Sequence, residues 1–174
     1  DLGVKIIKAT RAAMGNAYPA KNGDEVSFKL FEEGRLGRKT NAGFYDYDEK
    51  GKRTHLWSGL SKTWPAKEQQ PKFEDIKNRL MLSQVLEAIR ALEEGVLEDI
   101  REGDVGAILG WGFAPWSGGP FGWADMVGIQ KIVSMCNELS KSEGSRFAAP
   151  KLLLTMAKNN ETFYQKYRSR TKAA

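Results

Sequence analysis

The run from Phe73 to Val96 constrains the fold more than any other stretch. Ile76, Leu80, Met81, Val85, Ala88, Leu92 and Val96 recur at helical spacing and form one stripe. Leu82, Leu86 and Ile89 widen it, so this helix is expected to be buried over much of its surface. No proline interrupts the run, and Glu93-Glu94-Gly95 closes it on a glycine. Helices draw most of their stability from packing an apolar face, so the remaining chain must supply partners for this one.

The partners read mostly as further helices. One is predicted over residues 1–18, where Val4, Ile7, Arg11 and Met14 share a face beside Ile6. A short one covers 25–33, with Gly34 placed to end it. Others are predicted over 100–109, 122–140 and 150–158, where Pro150 suits a first turn. Between them the period changes. Phe44, Tyr45 and Tyr47, then Thr54, Leu56 and Trp57, flank the turn Asp48-Glu49-Lys50-Gly51, which predicts a small hairpin. Residues 58–72 hold two prolines and no period, and read as a linker. The end, ETFYQKYRSRTKAA, reads as a basic, fraying tail. The expected fold is mostly α with one small β-hairpin.

A weak internal echo runs through this pattern. Shifted by 129 residues, the first eighteen residues fall on 130–147 without a gap. Val4 meets Val133, Gly15 meets Gly144, and Tyr18 meets Phe147. Each stretch is later followed by a Phe-Tyr pair, Phe44-Tyr45 and Phe163-Tyr164.

Composition narrows the chemistry. A net charge of +5 suits an anionic ligand such as a nucleotide or coenzyme A. Nucleic acid is not expected, because the basic residues are spread along the chain and absent from its aromatic segment. One cysteine excludes an intrachain disulfide, and no apolar run approaches the roughly 20 residues of a membrane span. Cys136, among Ile132, Val133 and Leu139, reads as a buried structural thiol. The single histidine, His55, has no convincing orienting partner nearby in sequence and reads as a packing or surface residue of the hairpin. No His/Cys cluster has metal-ligand spacing, so neither a metal site nor a catalytic residue is assigned.

The segment from Asp104 to Gly128 is the other conspicuous feature. It carries seven glycines, three tryptophans and only two charges, both aspartates. It lacks the lysine of a phosphate loop and the strand and spacing of a dinucleotide fingerprint. Its glycines are expected to let Trp111, Phe113, Trp116, Phe121 and Trp123 pack against backbone at a tight turn. Arg35, Arg38 and Lys39 offer charge for a phosphate, but a solvated turn into the hairpin is the favoured reading. Asn78 sits near a helix start, where it either faces a cleft or is simply exposed.

Taken together, these motifs resemble the C-terminal helical domain of 3-hydroxyacyl-CoA dehydrogenases. EEGRLGRKTNAGFYDYDEKGK is similar to the close of that domain. NRLMLSQVLEAIRALEEGV and DVGAILGWGFAPWSGGPFGWADMVG are similar to its opening and middle. The closing motif comes first, which is the tandem arrangement of multifunctional β-oxidation α-subunits. The resemblance implies a duplicated domain: residues 1–57 as the second half of one copy with its hairpin, 58–72 as linker, 73–165 as a complete second copy, and 166–174 as tail. It also implies that the chain, which opens without methionine, is the C-terminal part of a longer cytoplasmic protein. That parent is expected to oxidise (3S)-3-hydroxyacyl-CoA with NAD bound outside this chain. An upstream Rossmann domain with its His–Glu pair, a possible hydratase domain and a possible thiolase subunit would accompany it. On this resemblance Asn78 matches the family's substrate asparagine, but in the second copy, which is expected to shield and order the first rather than to catalyse. Leu109 stands where some multifunctional relatives carry a tyrosine, so Leu109 and Trp111 are left as candidates to line an acyl path. FAPW departs from the family's usual Gly-Phe-Pro.

Overall fold

The structure is a computed structural model that describes residues 1–19 and 22–167. The chain divides into two compact units between Gln70 and Pro71. In the first, helix α1 (Leu2–Met14) is followed by a short 3-10 turn, helix α2 (Asn22–Glu32), strands β1 (Tyr45–Tyr47) and β2 (Arg53–Leu56), and a five-residue helix α3 (Gly59–Thr63). In the second come α4 (Phe73–Glu93), α5 (Ile100–Trp111), α6 (Pro120–Val127), α7 (Ile129–Glu143), α8 (Lys151–Asn159) and α9 (Phe163–Tyr167). The fold is mostly α with one antiparallel hairpin, as the periodicity predicts.

The first unit is thinly cored. Val4 and Leu30 are its buried large apolar side chains among the described residues. Cations supplement them. The Arg11 guanidinium lies 5.1 Å from the Phe28 ring centre and also binds the buried Asp24 carboxylate at 2.9 Å. Arg35 lies 4.4 Å from the Trp57 ring centre, donates to the Gly43 carbonyl at 2.8 Å and pairs with Asp46. Gly34 ends α2 at positive φ, as expected. The Gly34 and Arg35 N–H groups donate back to Phe31 and Leu30, a Schellman closure. In the hairpin turn the Asp48 side chain accepts from the Lys50 and Lys52 N–H groups.

The second unit has one continuous core, running from Leu82 on α4 to Phe163 on α9. Its hub is α6, which packs against α4, α5, α7 and α9. So the glycine-rich, aromatic segment forms the centre of the unit. Pro120, Phe121, Trp123 and Ala124 of α6 are all buried.

Several expectations need correction. The buried stripe of α4 is Leu82, Val85, Leu86, Ile89 and Leu92, whereas Phe73, Ile76, Leu80 and Val96 are exposed. Periodicity located the apolar arc but not which part of it meets the core. The helix expected over 122–140 is two helices broken at Gly128, whose φ of 95° turns the chain. The stretch read as a linker contains α3. Residues 163–167, all within the stretch read as a fraying tail, form α9, anchored by a fully buried Phe163. Residues 168–174 lie outside the described residues.

The echo is partly visible in the elements. Met14 and Glu143 end α1 and α7, and Asn22 and Lys151 begin α2 and α8. In both places a glycine at positive φ stands at the start of a three-residue 3-10 turn between the helices: Gly15 is its first residue, and Gly144 immediately precedes it. The Phe-Tyr pairs diverge: Tyr45 begins a strand, whereas Phe163-Tyr164 begins a helix.

Candidate functional site

The most organised polar group in the second unit is built from the two aspartates of the glycine-rich segment. Asp104, on α5, is 2% exposed. Its carboxylate accepts from the N–H groups of Phe121 at 2.7 Å and Gly122 at 3.1 Å, and from the Tyr164 hydroxyl at 2.8 Å. It therefore caps the N-terminus of α6 from another helix, where orphan N–H groups and the helix dipole favour an anion. Asp125, on α6, repeats the device one step on. Its two oxygens accept from the Phe163 and Tyr164 N–H groups at 2.7 and 2.9 Å and so cap α9. Glu93, at the end of α4, accepts from the Leu152 N–H at 2.7 Å at the start of α8.

Burial pushes the Asp104 carboxyl above its ordinary pKa, while the donors from Tyr164, Phe121 and Gly122 pull the other way. The Tyr164 hydroxyl is pushed up to about 12, first by burial and then by its bond to Asp104.

Two glycines make room for this carboxylate. A methyl on Gly119 would stand 2.5 Å from Asp104 Oδ1, and Gly119 has a φ of 106°. A methyl on Gly122 would meet the Ser117 carbonyl at 2.7 Å. The glycines thus admit a carboxylate and a backbone turn more than they admit tryptophans. Phe113, Phe121 and Trp123 are buried as expected, but Trp111 and Trp116 are exposed. The arrangement also bears on anion binding. The N–H groups at the head of α6 already hold the chain's own carboxylate, so the segment does not fit a dinucleotide phosphate.

The three candidate substrate-lining residues do not gather in one place. Asn78 is half-buried on α4 and lines two clefts. One, of about 230 Å³, runs between α4 and α7 past Arg79 and Leu139. The other, of about 280 Å³, includes Met81, Trp123 and Met135. Leu109 and Trp111 line neither cleft. Leu109 is 81% exposed, and the Trp111 indole N–H donates to the Gln84 side chain at 3.0 Å across the outside of α4 and α5.

The remaining candidates resolve simply. His55 is exposed on β2, with Nε2 3.2 Å from an Asp46 oxygen; that partner, nine residues back across the hairpin, was not apparent in sequence. Cys136 is fully buried, and burial pushes its thiol up to about 11. Arg35 is committed to Asp46 and Trp57, and Lys39 pairs with Asp1 at 2.5 Å. Among the described residues no group of three or more His, Cys, Asp or Glu side chains converges to hold a metal, and no helix is long and apolar enough to cross a membrane.

Residues 76–169 match the family described as 3-hydroxyacyl-CoA dehydrogenase, C-terminal domain. More than half of the chain is matched, and the chain belongs to that family. Over 165 residues, 94% of this chain, it is 36% identical to a fatty acid oxidation complex subunit alpha from Vibrio parahaemolyticus. A protein of the same description from Vibrio cholerae is 37% identical over 164 residues. The matched region spans 23% of the length of each relative.

Proposed function

We propose that this chain is the C-terminal part of a fatty-acid β-oxidation enzyme that oxidises (3S)-3-hydroxyacyl-CoA to 3-ketoacyl-CoA. NAD, bound elsewhere in the parent, accepts the hydride. The observation that carries this reading is the near-complete coverage of the chain by α-subunits of the fatty acid oxidation complex. The parent is read as cytoplasmic, with a Rossmann domain upstream; a hydratase domain and a thiolase subunit are the further candidates to accompany it.

Within that parent the present segment supports dimer-like packing and borders the acyl-CoA cleft, as two related helical copies. The match between the α1–α2 and α7–α8 boundaries supports the duplication. The segment is inactive alone. Its glycine-rich turn is filled by Asp104, and no histidine other than His55 is present to serve as a base. The test has two arms. The isolated chain is expected to give no NADH from 3-hydroxyacyl-CoA and no heat on NAD titration; robust turnover refutes the reading. A parent truncated after Trp57 is expected to lose turnover or stability, and full activity with normal stability refutes the supporting role.

A second reading is a non-catalytic interaction or dimerisation module. It is favoured by the exposed Phe73, Ile76 and Leu80 of α4 and the exposed Val105 and Leu109 of α5. An upstream Gly-x-Gly-x-x-Gly Rossmann sequence decides against it.

A further inference from the structure

A cleft of about 280 Å³ opens against α4, α6 and α7 at the edge of the core. Three of the chain's five methionines, Met81, Met126 and Met135, converge on it. Met81 and Met135 are half-buried, Met126 is exposed, and the buried Trp123 ring contributes a further wall. Unbranched, polarisable thioethers adapt to a flexible apolar chain better than branched side chains do. The cleft's size falls near the lower end of the roughly 300–1,000 Å³ typical of small-molecule sites.

Its charged lining residues are Glu74, Lys77 and Lys131. Lys77 is neutralised by Glu74 at 2.5 Å. Lys131 also lines the cleft and makes no ion pair among the described residues. The Asn78 amide reaches the same cleft and has no hydrogen-bond partner among the described residues. An apolar trough with one uncommitted cation and one uncommitted amide is complementary to a chain with an anionic end.

We infer that this cleft binds a small anionic amphiphile, its linear apolar chain lying against Met81, Met126, Met135 and Trp123 and its carboxylate at Lys131 and Asn78. The inference rests on the lining alone and stands whether or not the parent is a dehydrogenase. Octanoate is the probe, titrated into the 174-residue chain carrying ¹³C-methyl methionine. The Met81, Met126 and Met135 signals are expected to shift together and to saturate, while Met14 and Met156 stay still. Each methylene removed from the probe is expected to weaken binding about fourfold. Lys131→Gln, a surface change that leaves the fold intact, is expected to weaken octanoate about two- to fivefold and to leave octanol unchanged. The inference is overturned by no shift at millimolar octanoate, by equal movement of Met14 and Met156, by octylammonium binding as well as octanoate, or by an unchanged affinity in Lys131→Gln.

Discussion

Replacing Asp104 by asparagine tests whether the carboxylate at the head of α6 organises the second unit. The substitution keeps shape and one acceptor oxygen. That oxygen can serve the Phe121 N–H, which is bonded at 2.7 Å in the parent. The new amide then points its own hydrogens at the Gly122 N–H, which loses the acceptor it held at 3.1 Å. An unsatisfied, largely buried donor costs about 1–3 kcal/mol. Tyr164 adds little, because its hydroxyl, which donates to the carboxylate at 2.8 Å, can instead accept from the new amide. The expected loss is therefore about 1–3 kcal/mol, against a typical domain stability of about 5–15 kcal/mol, so the variant folds but melts early. Because the chain has two units, a single global melt would blend transitions. Urea unfolding followed through the ¹³C-methyl signal of Met156, which is fully buried in the second unit, isolates the relevant one. A Met156 midpoint within about 0.5 kcal/mol of the parent would refute the reasoning.

The pH dependence gives the same variant a second reading. Burial holds the folded Asp104 pKa above the ordinary 3.8. A raised carboxyl pKa means that the proton-linked part of its stability is present below pH 3.8 and is lost as pH rises through the folded value. Asparagine has no such step. The deficit of Asp104→Asn relative to the parent is therefore expected to narrow as pH climbs through that window. A deficit that widens instead contradicts the burial argument.

Three further outcomes are expected. Gly119→Ala combines a φ of 106° with a methyl 2.5 Å from the Asp104 carboxylate, so it should destabilise the second unit at least as much as Asp104→Asn, measured by the same Met156 midpoint. Cys136, fully buried with a thiol near 11, should resist alkylation at pH 8 and react only as the second unit unfolds; fast labelling of the native chain would contradict its burial. Asp99 caps α5 through the Arg101 N–H and pairs with its side chain, chiefly the latter lowering its pKa to about 2. Its stabilisation is thus present above pH 3.8 and lost as pH falls toward 2, so Asp99→Asn should flatten the acid limb of unfolding there.

Local rules carried much of this architecture. The α2 end at Gly34, the Asp48 turn and the α8 start after Pro150 each depend on residues within one turn of each other, and each was legible in sequence. The α6–α7 break was not, because the apolar periodicity continues across Gly128 and a glycine inside such a pattern does not by itself announce a turn. The α9 helix was hidden for a related reason. A basic composition suggests fraying, and only the burial of Phe163 and the reach of Asp125 across 38 residues hold it.

The polar site shows the same division more sharply. Asp104 and Asp125 were visible as the only charges in a long apolar, glycine-rich run, and a charge in such surroundings must either reach water or be satisfied internally. That signal was enough to mark them as unusual. It could not name their partners, because the donors lie 17, 18, 38, 39 and 60 residues away and meet them only after the helices have docked. Each cap therefore reports a docking event: Asp104 fixes α6 and Tyr164 against α5, and Asp125 fixes α9 against α6. Since α6 also packs on α4 and α7, the two carboxylates tie α5 to the first turn of the hub and the hub to the last helix described. The glycines of the segment follow from this. A side chain at Gly119 or Gly122 would occupy the space of the carboxylate or of the turn that delivers the N–H groups to it, so the aspartates and glycines form one device, and the tryptophans beside it are free to be either core, as Trp123 is, or surface, as Trp111 and Trp116 are.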